Sequence, residues 1–384
     1  MGFTMIKHGQ SATPAGPSDS LQLDVPRILP ARVLRRAEPT PALVSLPLER
    51  VAGVDLLRIM AAVGIIWFHM EGAPHRGIGY AGLPVFLLIF FSLVTRQSPA
   101  RTTVEFVSRR WQRLLKPWLF WSLVYGSCQL AKAAATADWH PLHEILSVKT
   151  LFIGTWVHLW YLPYAFVLGL LLHVLNQRIS AVNPDAQRRC GPDAQPDRTA
   201  ALRAWGGHVA VVVTATVVGV VTLAACAAHL AGRALTPPLP QWEFGLATIP
   251  LGLAVGRSLA VPSRRAQAWL LLMIAGATVG VSALLTSLGF RSMAVPYSLA
   301  VVLVCLAYLW PVRSNAFISA VAPLTFGIYL IHPLVIYGLE HSLTRSGAAG
   351  VLANGHYGVA IILTTCLAGA VTWGLTKTPL RWVV

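Results

Sequence analysis

An arginine and a histidine stand eleven residues apart in one apolar run, "LLRIMAAVGIIWFHMEG", residues 56–72; they are Arg58 and His69. On an α-helix a step of eleven residues turns about 1100°, so the two side chains differ by only about 20° and share a face. The rise between them is about 16 Å. Asp55 lies three residues before Arg58 and is spaced to pair with it. A guanidinium grips oxyanions through parallel N–H bonds, and an imidazole exchanges protons near neutral pH. One helix face therefore carries an anion-binding group at one end and a proton-transfer group at the other. A snorkelling arginine and an interfacial histidine are the plain alternatives. The shared face favours a cavity-lining role, because ionisable groups within apolar segments usually face a cavity. Glu71 follows His69 by two residues, and i and i+2 do not face each other on a helix. It joins the pair only if the helix has ended before it.

A second cationic set occupies "EFVSRRWQRLLKPW", residues 105–118. Arg110 and Arg113 are spaced i, i+3 and could hold one anion together. Arg109 points about 100° away. A positive flank to a membrane segment explains part of this charge, but the choice of guanidinium over ammonium suits phosphate. Two more stretches carry polar rings. "VHLWYLPYAF", 157–166, holds His158, Trp160, Tyr161 and Tyr164, and "TFGIYLIHPL", 325–334, holds Tyr329 and His332. An interfacial aromatic belt accounts for most of the Trp and Tyr residues. His332 precedes Pro333, where an imidazole could satisfy a carbonyl that the proline leaves without its N–H.

These side chains must be positioned by membrane helices. Of 384 residues, 55% are hydrophobic and only 11% charged, too little charge to clothe a water-soluble domain of this size. Apolar runs of about 20 residues recur, and the alternating pattern of a membrane barrel is missing. The expected fold is all-α, a polytopic bundle of about ten transmembrane helices. They fall near 53–70, 80–96, 114–133, 153–176, 206–231, 242–258, 266–288, 294–312, 319–341 and 357–380. Pro84 and Pro250 predict tilts or interruptions in the second and sixth. If the chain starts in the cytoplasm, 23 of the 30 Lys and Arg fall on the inner side and six in the outer connectors. That asymmetry places both termini in the cytoplasm.

The net charge of +16 is spread over short connectors, so no nucleic-acid partner is expected. Residues 1–48, rich in Pro, Ser and Ala with four arginines, read as a flexible basic cytoplasmic tail able to touch anionic membrane lipid. Residues 49–384 hold the bundle, with 177–205 a polar cytoplasmic linker inside it. The five cysteines lack metal or disulfide spacing, and scattered histidines without paired carboxylates give no metal site.

The motifs together resemble acyltransferase family 3. "RIMAAVGIIWFH" is similar to that family's first-helix signature of Arg, ten residues, His, with Arg58 and His69 on its positions. "RRWQRLLKPW" is similar to its Arg-x-x-Arg element, with Arg110 and Arg113 in place and Pro117 after them. "LWYLPYAF" and "TFGIYLIHP" resemble its fourth-helix and late-helix signatures. One departure stands out: the second helix reads "LPVFLLIFFSLVTR", with Ser92 but no glycine after it, where the family has an "FFVLSGF"-type stretch. Different packing is expected there. No soluble domain follows the bundle, which matches the family's stand-alone form.

The resemblance implies an inner-membrane O-acyltransferase with acyl-CoA, chiefly acetyl-CoA, as co-substrate and no permanently bound cofactor. The acceptor would be a hydroxyl of an extracytoplasmic polysaccharide or lipid-linked glycan. Arg58, Arg110 and Arg113 would bind the CoA phosphates. His69 would act as general base or carry the acyl group itself. Glu71, Trp160, Tyr329 and His332 would contact the acceptor, with His332 and Tyr329 also placed to steady an oxyanion. Proline-interrupted helices with polar groups on both sides also describe an exporter of a sugar or anionic solute. A polymer-assembly accessory protein without activity is the third reading. Oligomeric state is left open by the sequence.

Overall fold

A helix that must bury an apolar face in water shows a polar stripe on its other side; one in lipid need not. Here long helices expose apolar side chains such as Val221, Trp269 and Ile362 on their outer faces. In the computed structural model, the described residues are 51–97, 102–181, 198–231, 236–345 and 357–384. Among them there is no strand. Ten principal helices appear where the apolar runs predict them. They are α1 (Ala52–His69), α2 (Gly82–Arg96), α3 (Lys116–Thr136), α4 (Tyr161–Ala181), α5 (Arg198–Leu230), α6 (Thr248–Ser258), α7 (Arg264–Ser287), α8 (Arg291–Leu309), α9 (Thr325–Arg345) and α10 (Tyr357–Thr376). The protein is a polytopic membrane helix bundle.

Among the described residues, eight stretches are long and apolar enough to cross a membrane alone. The two principal helices outside that set are α3 and α6. α3 has 21 residues but carries Lys116 and Lys132. α6 is short and follows a separate helix, Leu239–Leu246, with Ala247 between them. Pro250 sits in the first turn of α6 and marks that break. Pro84 stands in the same way just after a break, the one between the short helix Arg76–Gly79 and α2. It lies in the first turn of α2, where its absent N–H would have had no intrahelical partner, so α2 runs on to Arg96. The linker expected over 177–205 is partly helical, since α4 continues to Ala181 and α5 begins at Arg198. Its middle, and the basic tail of residues 1–48, lie outside the described residues.

Burial separates central from lipid-facing helices. The window containing α2 is 67% buried, whereas that of α10 is 22% buried. α2 owes its central place to α6. Gly252 and Gly256 on α6 lie one turn apart, and a methyl group at either would press on α2. It would come 2.6 Å from Phe91 Cβ at Gly252 and 2.7 Å from the Ser92 carbonyl at Gly256. This is the small-xxx-small contact of membrane helices. Ser92 is buried, donates to the Ile89 carbonyl at 2.8 Å and meets the Tyr308 hydroxyl at 3.2 Å.

Two local features position the functional side chains. The helix Thr103–Arg110 passes into α3 through a π-helical turn, Trp111–Leu115, which widens the spiral there. The chain's last turn, Pro379–Val383, docks on α3, where the Trp121 indole N–H donates to the Val383 carbonyl at 2.8 Å.

Candidate active site

Three histidines from distant parts of the chain meet in the bundle. His69 ends α1, His332 lies in α9, and His158 sits in the 3₁₀ turn Val157–Trp160 that leads into α4. The His69 and His332 ring centroids are 5.1 Å apart, and those of His158 and His332 are 5.6 Å apart. His158 and His332 are buried, and His69 is half-buried. Tyr125 packs edge-on against His158 at 5.0 Å, and Tyr329 lies 5.7 Å from the same ring. Among the described residues no His, Cys, Asp or Glu grouping has the geometry of a metal site.

The backbone explains how His332 is held. Pro333 has no N–H to give to the carbonyl four residues back, which is that of Tyr329. His332 supplies the missing donor, with Nδ1 2.7 Å from the Tyr329 oxygen. A carbonyl only accepts, so Nδ1 carries the proton and Nε2 keeps its lone pair. Nε2 is buried without a hydrogen-bond partner. A proline that would otherwise only loosen a helix thereby fixes a tautomer and leaves a nitrogen with its lone pair inside the cluster.

His158 is held by its own segment. Gly154 has φ +74°, a left-handed conformation in which a side chain would also press on Ser122 Oγ and Leu159. The next residue, Thr155, donates its hydroxyl to the Ser122 carbonyl at 2.6 Å and accepts at its own carbonyl from Gln129 Nε2 at 2.7 Å. The Tyr329 hydroxyl donates to the His158 carbonyl, and the Tyr125 hydroxyl donates to the Leu330 carbonyl at 2.7 Å. The Leu330 carbonyl also faces the His158 ring, but neither ring nitrogen forms a well-aligned hydrogen bond.

Arginines stand at the other end of the α1 stripe. Arg58 is half-buried and pairs with Asp55 at 3.4 Å. The Arg110 guanidinium lies over Phe90 at 4.7 Å and Phe106 at 5.2 Å, a cation–π seat built from α2 and its own helix. Tyr161 is within electrostatic reach of both Arg58 and Arg110. Its ring is 5.7 Å from that of Tyr329, which in turn contacts the histidines. Ring contacts therefore run from Tyr161 through Tyr329 to His332, and His332 contacts His69.

The site residues expected from sequence divide. The structure brings Tyr329, His332 and His69 together and sets Arg58 and Arg110 at the other end of the α1 stripe. Arg113 is exposed, and the π turn between it and Arg110 changes the angle that a regular i, i+3 pair would have. Glu71 is exposed in the turn after α1, which ends at His69, and lies near Glu340. Trp160 is buried but packs on Tyr164 at 5.2 Å, away from the histidine rings. Tyr329 has its hydroxyl committed to the His158 carbonyl, which makes it a tie between α9 and the His158 turn. Tyr125, Tyr161 and His158 enter the cluster without having been assigned a role from the sequence. Tyr161 and His158 carried the signal of standing in one polar-ring stretch, whereas Tyr125 had none.

A family profile described as "Acyltransferase domain" matches residues 51–373. The chain belongs to acyltransferase family 3. Nearly all of the described bundle, including all three histidines and both buried-side arginines, lies inside the matched region. No curated relative and no solved structure matches this chain. The protein is therefore a membrane acyltransferase by family and by fold.

A cavity of about 500 Å³ adjoins the histidine cluster at the far end of α3 from Arg110. Within α3, Lys116 and Lys132 are separated by about 24 Å of helical rise. Tyr125, Trp156 and Pro333 line the cavity beside the histidine segments, and Lys132 and Lys149 are also among its lining residues.

Proposed function

We propose that this acyltransferase moves an acetyl or short acyl group from acyl-CoA to a hydroxyl of an extracytoplasmic glycan or lipid-linked glycan. The membrane would be a cell inner membrane, with both termini in the cytoplasm. The observation that carries the reading is the contact of His69 with His332, whose tautomer Pro333 fixes, in a member of an acyltransferase family. The arginine end would face the cytoplasm, where acyl-CoA is made. Arg58 and Arg110 would hold its phosphates as charge-assisted pairs, with Arg113 steering from the surface. The acyl-bearing arm would pass Tyr161 and Tyr329 to reach the histidines.

In the reaction His69 takes the proton of the acceptor hydroxyl. The freed oxygen forms a bond to the thioester carbon. The carbon–sulfur bond then breaks, and the thiolate leaves and receives the proton back from the imidazolium. CoA and an O-acyl glycan are the products, and no oxidant or metal is consumed. General base catalysis of this kind contributes about 10²- to 10⁴-fold. His332 Nε2 would accept a hydrogen bond from His69 and so orient the ring, in the way a second group orients a catalytic base.

Purified protein incubated with labelled acetyl-CoA and a glycan acceptor tests the reading. Acceptor-dependent release of CoA is expected, together with acetyl groups on the glycan. Acetyl-CoA left intact, with the protein folded and the acceptor present, would overturn it and return solute export to the front.

A further inference from the structure

Arg257 lies in the last turn of α6, and the reaction above gives it no part. Its Nη2 donates to Asn176 Oδ1 on α4 at 2.9 Å, and its Nε is buried without a hydrogen-bond partner. His208 of α5 is within electrostatic reach of the same guanidinium. Among the described residues no carboxylate pairs with Arg257. An amide does not neutralise a guanidinium, which stays charged at any physiological pH. A partly desolvated cation without a counter-anion is costly, and an ionisable side chain inside a membrane bundle points to a ligand. Arg257, Asn176 and His208 are each half-buried, so each keeps part of its surface open to one.

The side of α4 that holds Arg257 also faces the seat of Arg110. Gly169 lies against Phe90 and Phe106, the two rings beneath Arg110, and His173 stacks on Phe106 at 4.2 Å. Gly169, His173 and Asn176 are spaced i, i+4, i+7 and share that side. From Gly169 to Asn176 the helix rises about 10 Å, away from the His158 turn that precedes it. Along α4 the order is therefore histidines, Arg110, Arg257. Acyl-CoA has its parts in a matching order: thioester, pantetheine arm, diphosphate, then a ribose bearing a 3′-phosphate. We infer that Arg257 binds this ribose 3′-phosphate, a step that rests on the acyltransferase reading above, in which Arg58 and Arg110 hold the diphosphate. A phosphomonoester supplies the counter-anion that Arg257 lacks, and a guanidinium fork matches its oxygens. A lipid phosphomonoester headgroup presents the same chemistry.

Calorimetric titration of the detergent-solubilised full chain with CoA and with 3′-dephospho-CoA tests this. CoA is expected to bind about tenfold tighter, the effect of one charge-assisted contact. Arg257→Gln should bind both nucleotides alike, near the affinity of the unaltered protein for 3′-dephospho-CoA, whereas Arg257→Lys should keep part of the preference. Arg110→Ala should weaken both nucleotides and leave their ratio unchanged. Equal binding of the two by the unaltered protein, binding of neither, or a preference untouched in Arg257→Gln would overturn the inference. So would Arg257-dependent binding of phosphatidate micelles without any preference for CoA, which would give the site to a lipid headgroup. CoA release from acetyl-CoA, measured on the same sample, reads the acyltransferase assignment separately. CoA release without the nucleotide preference would remove this inference and keep the reaction. The preference without CoA release would keep the phosphate site and remove the reaction.

Discussion

The two ends of the α1 stripe solve opposite problems. At one end charge is kept but compensated, since Arg58 has Asp55 and Arg110 lies on two phenylalanine rings. At the other end the ionisable groups are imidazoles, two of them buried, with nitrogens that have no well-formed partner. A permanently charged group buried without a partner is costly, whereas a neutral imidazole is tolerated at a smaller cost. On the proposed reading, the arginine end binds an anion already carrying charge, and the histidine end creates charge briefly, when a proton moves. Unsatisfied polar atoms in a packed interior call for an explanation, and the proposed catalysis supplies one.

That contrast can be broken at several points. The largest effect is expected for His69→Ala, with turnover down about 10³-fold and membrane abundance unchanged on an immunoblot. Near-normal acyl transfer in that variant would take His69 out of its role. Next comes Pro333→Ala. It returns an N–H to the Tyr329 carbonyl, so His332 Nδ1 loses its fixed partner and the tautomer is released. A fall in turnover of about tenfold, equivalent to about 1.4 kcal/mol, is expected from steady-state rates. Unchanged rates would mean that the His332 tautomer does not matter.

The arginines sharpen the comparison on the binding side. Arg110→Ala should raise the KM for acyl-CoA about tenfold through loss of a charge-assisted contact. Arg113→Ala should raise it only about twofold, as suits an exposed charge. The two variants are compared by acyl-CoA titration, and equal effects would show that the π turn does not separate the two guanidinium groups in function.

What could be read in advance follows from periodicity. The common face of Arg58 and His69 is a property of one regular helix, so the sequence reveals it without any tertiary information. The role of Pro333 in holding His332 is likewise local, because the freed carbonyl is only three residues before the histidine. His158 is different. It reaches the centre through the left-handed turn at Gly154 and ties from Ser122, Gln129 and Tyr329, all on other segments. Nothing in "VHLWYLPYAF" distinguishes it from an interfacial histidine. Tyr125 depends on α3 packing against α9, which no local pattern encodes. Arg113 was spaced to join Arg110 only if the helix stayed regular, and the π turn falls between them. The close approach of α2 and α6 is likewise not local: Gly252 and Gly256 admit Phe91 and Ser92, and only packing joins the two.

The division of labour between the ends is tested most directly by measuring kcat and KM for acyl-CoA in His69→Ala and Arg110→Ala side by side, with acceptor saturating. The account predicts that the histidine variant loses kcat with KM little changed, and that the arginine variant raises KM with kcat little changed. The reverse pattern, or both variants altering the same constant alike, would contradict it.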